Sequence, residues 1–180
     1  MHSCKQTEHS PKNLHPDLLA AQKIAYEPNG LTCTFVELEA ESKEYGACLL
    51  EINNLRVKFR VGKITPTKIG QFVTLWKRVG NGPIQPYDVS DPVDLFVVSV
   101  RKDKHFGQFV FPKAILYEKG IVSKNGLGGK RAMRIYPPWD ITDNQQARKT
   151  QLWQVAYFLE IQPKTVDTAR LQQLFCSKSL

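Results

Sequence analysis

The chain reads as an α/β protein, a single domain with a mixed β-sheet flanked by helices. Three observations predict it. Residues 71–78, 94–101 and 107–113 are apolar runs of strand length closed by basic residues, the pattern of strands covered on both faces. Residues 47–52 and 55–61 flank Asn53-Asn54, a pair that tolerates positive φ and so suits a two-residue hairpin turn. Helical patterns precede and follow these strands, which predicts a layered α/β arrangement.

In chain order, residues 1–13 are polar and aperiodic and read as a disordered arm, leaving 14–180 as the domain. Residues 16–25 form a first helix, with Pro16 early, where its missing N–H costs nothing, and Leu18, Leu19, Ala21 and Ile24 apolar. Pro28-Asn29-Gly30 stops it. Residues 31–44 fit either a strand or a helix, with an extended start favoured. Along residues 55–61, Arg56, Lys58 and Arg60 alternate with Leu55, Val57, Phe59 and Val61, so one face is apolar and the other cationic. Residues 62–70 make a loop that offers Lys63, Thr65, Thr67 and Lys68 to phosphate oxygens. If the three apolar strands are neighbours, Lys77, Arg78, Arg101 and Lys113 fall on one rim as a cationic edge.

A turn over 102–107 joins the second and third apolar strands, and Pro112 opens a short helix over 113–118, stopped by Gly120. Residues 123–130 form a mobile basic loop whose glycines lack the spacing of a nucleotide-binding P-loop. Residues 131–136 alternate as a last strand. Asp143 then caps a helix, with Gln146 completing a capping box and Leu152, Val155, Ala156 and Leu159 as its core face. A tail with a short helix over 166–175 follows.

The net charge of +8 favours anionic partners, nucleic acid first and an acidic membrane surface second. No run approaches the roughly twenty apolar residues that span a bilayer, and the N-terminus lacks a signal-peptide core, so a cytoplasmic location is expected. Cys4, Cys33, Cys48 and Cys176 are scattered without a CxxC pair, and the four histidines fall into no metal motif. No cofactor is expected. Serine-hydrolase, zinc-protease and dinucleotide fingerprints are all missing.

One catalytic pattern remains. Restriction-endonuclease-like enzymes place an Asp on one strand of a hairpin and Glu-x-Lys on the next, so that two carboxylates hold Mg²⁺ and the lysine polarises water. Here Asp94 opens a strand, but Gln108 and Val110 stand where Glu and Lys are wanted. Lys113 is the nearest substitute lysine, and Asp88, Asp91, Glu41 and Glu44 are the candidates for a second carboxylate. The hairpin has the shape of a nuclease core with altered charges.

Four segments carry a family resemblance: FRVGKITPTKIGQFVTLWKR over 59–78, FGQFVFPK over 106–113, GKRAMRIYPPW over 129–139 and KTQLW over 149–153. In these segments, and across about residues 16–159, the chain resembles the MepB family of small bacterial proteins. The resemblance implies a restriction-endonuclease-like fold and a nucleic-acid ligand, and supplies no reaction. The expected function is therefore binding of nucleic acid, DNA foremost, on a basic face around a degenerate nuclease core. Its phosphate contacts would be Arg60, Lys63, Lys68, Lys77, Arg78, Lys113, Lys130, Arg131 and Arg134, with Trp76 and Trp139 available to stack on bases. Two alternatives stand beside it: a Mg²⁺-dependent nuclease centred on Asp94, and a protein or small-molecule module tied to multidrug efflux, which the family name alone suggests.

Overall fold

A computed structural model describes residues 13–176; apart from Asn13, the expected disordered arm lies outside the described residues. Seven strands form a mixed sheet in the order β1 (Cys33–Leu38), β2 (Cys48–Ile52), β3 (Leu55–Val61), β8 (Leu95–Lys102), β9 (His105–Pro112), β11 (Phe158–Gln162) and β12 (Thr165–Val166). Only the β3–β8 pair is parallel. Before β8, the chain leaves this sheet to build β4 (Lys63–Thr65), β5 (Lys68–Thr74), β6 (Trp76–Arg78) and β7 (Ile84–Pro86). β5 lies between β4 and β10 (Ala132–Ile135) in a separate three-stranded sheet, and β6 pairs with β7.

The strand alternation fixes two cores, one on each face of the large sheet. Val57, Phe59, Val97 and Val110 point to one face, where α1 (Pro16–Ala21) and α4 (Thr168–Cys176) cover them with Leu18, Leu171 and Phe175. Phe96, Val98, Phe109 and Phe111 point to the other, against Val73 and Ile135 of the small sheet and Leu116 of α2 (Lys113–Glu118). The molecule is thus a single α/β domain in three layers. Residues 71–78 do not join the large sheet as expected. Both edges of β3 are already occupied, by β2 and β8, so β5 lays its apolar residues on the sheet instead.

Turn chemistry explains the hairpins. Asn53 and Asn54 adopt φ of 48° and 66°, the left-handed pair that a type I′ turn requires. In the β8–β9 turn Asp103 alone takes a positive φ, 54°, and Lys102 faces His105, so the expected six-residue turn shrinks to two residues. The run over 31–44 resolves into β1 and a 3₁₀ segment, Ala40–Tyr45.

Two expectations for α3 (Gln145–Val155) are corrected. Its cap is Asn144, whose side-chain oxygen accepts from Ala147 N at 2.8 Å, and Asp143 lies outside the helix. The inward stripe is Ala147, Gln151 and Gln154, whereas Leu152 is 68% exposed and Leu159 belongs to β11. α3 packs on the free edge of β10, where backbone groups need partners. Fully buried Gln154 meets that need, donating to Arg134 O at 3.0 Å and accepting from Tyr136 N at 2.9 Å. Gln151 likewise donates to the carbonyls of Pro137 and Asp140 and pins the loop after β10.

Candidate functional site

The expected single cationic rim does not form. Arg101 faces Phe106 at one end of the β8–β9 hairpin, while Lys113 donates its backbone N–H to Asp94 O at the other end. Seven residues of strand separate them, roughly 23 Å. Several of the basic residues fall instead into two clefts of opposite character.

The first cleft, about 440 Å³, lies between the segment after β1, the β6 strand and the start of β8. It is charge-balanced: Arg56, Lys58, Lys77 and Arg78 meet Glu37, Glu39, Glu41 and Asp91. Lys77 pairs with Asp91 at 2.5 Å, and Arg78 holds Glu41 at 2.9 Å while lying 5.8 Å from the Trp76 ring. Lys113 donates to Asp91 O at 2.8 Å. Each of these expected phosphate contacts thus has a partner within the fold.

Arg60 leaves the surface altogether. The expected single cationic face on β3 does not form, because Glu39 and Tyr87 cover its Arg60 end. Arg60 is 0% exposed and donates to Glu39 at 2.5 Å, Tyr87 Oη at 3.3 Å and Phe59 O at 2.9 Å, with its Nε unpartnered. Lys58 adds a second bond to Glu39 at 2.7 Å. Burial alone would raise the Glu39 carboxyl, but Arg60 and Lys58 outweigh it and hold the group below the usual carboxylate range. Burial pushes the Tyr87 phenol up to about 12. Arg60 is therefore a structural cation.

The second cleft, about 450 Å³, runs between β10 and α3. Lys68, Lys119, Lys130 and Arg134 line it, with no Asp or Glu among the lining residues, although Lys119 pairs with the adjacent Glu118 at 2.9 Å. Lys68 and Lys130 are exposed and make no ion pair among the described residues. Arg134 reaches across β5 to the carbonyls of Lys68, Ile69 and Gly70 and to Thr65 Oγ1 at 3.0 Å, so it clamps the loop that presents Lys68. The positive end of α3 adds to the field, because Asn144, Gln146 and Ala147 of its first turn line the same cleft. Arg131 is exposed nearby and bonds Ile84 O at 3.3 Å. Lys63 stands apart, 3.4 Å from Glu44 and 4.4 Å from the Tyr45 ring. Lys119, Gln146 and Thr150 complete the cleft and escaped sequence reasoning, because it treated 113–118 and α3 as core-covering helices.

Lys68 also lines a third cleft of about 470 Å³, bounded by the β4–β5 loop and residues 139–141. Trp139 forms part of its wall, half-buried and stacked on His105 at 5.1 Å.

The nuclease constellation does not assemble. Asp94 Oδ2 accepts from Arg56 N at 2.8 Å and ties β8 to β3. Gln108 pairs with Ser99, five positions from Lys113 along the strand, which puts it about 17 Å from Asp94. Its amide is turned into the core, accepting from Tyr26 Oη at 2.5 Å and donating to Ser99 Oγ at 2.9 Å. The candidate second carboxylates are also committed: Asp88 to Ser90, Ser123 and Gly126, Asp91 to Lys77, Glu41 to Arg78 and Glu44 to Lys63. The backbone N–H groups of Gly126 and Ser90, with the two serine hydroxyls, hold the Asp88 carboxyl well below its ordinary range. The residues expected to hold Mg²⁺ do not fit the ion.

Fold and clefts together define a basic α/β domain with a groove beside the small sheet whose lining holds no Asp or Glu. The MepB-like family model matches residues 39–160, and the chain belongs to the MepB-like family. A crystal structure of MepB is similar to it, with a TM-score of 0.70 and 33% sequence identity, covering 79% of this chain and 94% of that one. No curated protein matches the chain.

Proposed function

We propose that this protein binds nucleic acid, DNA in the first instance, by its phosphate backbone and does not cleave it. The observation that carries this reading is the contrast between the clefts. Around β6 every cation faces a carboxylate, whereas Lys68, Lys130 and Arg134 converge on a groove with no Asp or Glu in its lining, and of its four cations only Lys119 has a carboxylate partner, Glu118, among the described residues. Such a field attracts a polyanion and gains affinity by releasing its counterions. Lys68 and Lys130 are the principal phosphate contacts, Arg131 extends the path, and Arg134 acts by holding the Lys68 loop. A cytoplasmic location accords with this role; among the described residues no helix is long and apolar enough to cross a membrane.

We also read the large sheet as a restriction-endonuclease-like core that has lost its chemistry. Support comes from the β8–β9 hairpin, which keeps an Asp at its entrance, while its remaining polar positions serve the fold. An electrophoretic shift with double- and single-stranded DNA, with and without Mg²⁺ or Mn²⁺, tests both statements. Retardation without cleavage is expected. Cleavage that disappears in Asp94→Ala would overturn the degenerate-core reading and make Lys113, which lies beside Asp94 and Asp91, the first candidate for the missing lysine.

A further inference from the structure

The cleft beside the basic groove adds exposed apolar side chains to its polar lining. Its rim carries Ile64 at 58% and Ile141 at 88% exposure, two large aliphatic side chains with no core to fill. Trp139 lines the same cleft, fixed by His105 on one side and by an edge contact to Phe158 at 5.6 Å. The loop that bears Ile141 is held as well: Lys102 pairs with buried Asp140 at 3.2 Å, and Gln151 donates to Asp140 O at 2.9 Å. Lys68 lines both this cleft and the basic groove, so a chain whose phosphates follow the groove passes an adjoining pocket of mixed lining, where Ile64, Trp139 and Ile141 stand beside Thr65, Thr67 and the paired Lys102 and Asp140.

Resting on the nucleic-acid reading, we infer that the ligand is a single strand, with phosphates in the Lys68–Lys130 groove and an unstacked base in the pocket of Ile64, Trp139 and Ile141. A duplex hides the faces of its bases in the stack and presents grooves and phosphates, which would leave both isoleucines in water. An unpaired strand exposes base faces that apolar and aromatic surfaces bind without regard to sequence. The size agrees, since about 470 Å³ falls among sites that take one small molecule and is far too narrow for a helix of nucleic acid.

Fluorescence anisotropy with three probes of equal phosphate number tests the inference: a labelled oligothymidine, the same backbone made abasic, and a duplex. The oligothymidine is expected to bind at least about tenfold more tightly than either of the others, the scale of one stacked base. Ile64→Ser with Ile141→Ser should erase that advantage while leaving abasic binding unchanged; both side chains are exposed, and a thermal melt checks that the fold survives. Lys68→Ala should weaken all three probes. Equal binding of the three, or an advantage that persists in the double serine variant, would overturn the single-strand assignment and leave phosphate binding standing. Failure of every probe to bind would overturn the nucleic-acid reading, and the inference with it.

Discussion

Arg60 shows how far a single charge can be from the role its sequence position suggests. The alternation over 55–61 correctly separates Leu55, Val57 and Phe59 from Arg56, Lys58 and Arg60. Alternation cannot say what covers the second face, and here Glu39 and Tyr87 do. Glu39→Gln would leave the Arg60 guanidinium buried without its counter-ion, and the expected cost is about 3–5 kcal/mol by urea unfolding. The pH dependence has a definite sign. A carboxyl whose folded pKa is depressed contributes stability that is complete above its unfolded value of about 4.3 and is lost as pH falls through the folded value. Glu39 and Asp88 are both depressed, so the melting temperature should be level down to about pH 5 and fall below pH 4. In Glu39→Gln the fall should be shallower from a lower starting point, measured by thermal melts across pH.

At the level of elements, local signals were legible and partners were not. The Asn53-Asn54 turn, the β8–β9 hairpin, α2 and the strand at 132–135 follow from turn residues and periodicity alone. What residues 71–78 pair with depends on which sheet edges are free, and that is a property of the whole chain. The inward face of α3 was misjudged for a related reason: the apolar residues Leu152 and Val155 look like a core stripe, yet an open strand edge selects hydrogen-bonding Gln154 instead. Gly107 tests the strand packing directly. A Cβ there would stand 2.3 Å from the Phe158 ring and 2.6 Å from Leu159 O, and the neighbouring β11 backbone cannot move without breaking its pairing with β9. Gly107→Ala is therefore expected to destabilise by about 1–3 kcal/mol or more, read from the urea midpoint.

Across the whole molecule, an excess charge of +8 says that an anion is welcome but not where. Of the cations that sequence reasoning grouped together, Arg60, Lys77, Arg78 and Lys113 are held within the fold, and Lys68, Lys130 and Arg134 meet in one groove. The candidate site was thus half visible: its residue types were apparent, while their pairing with Glu39, Glu41 and Asp91 arises only when distant segments fold together. The nuclease alternative turned on the same point, because Asp94 and Gln108 look adjacent in a hairpin until the register places them at different levels. The most direct measurement is the salt dependence of DNA affinity for the wild-type chain and for the Lys68→Ala, Lys130→Ala double variant. With about four to six phosphates engaged, wild-type affinity should fall by about two to three decades between 50 and 200 mM salt, and the double variant should bind more weakly with a logarithmic slope shallower by roughly two. A flat salt response in the wild type, or a double variant with unchanged affinity and slope, would contradict the account.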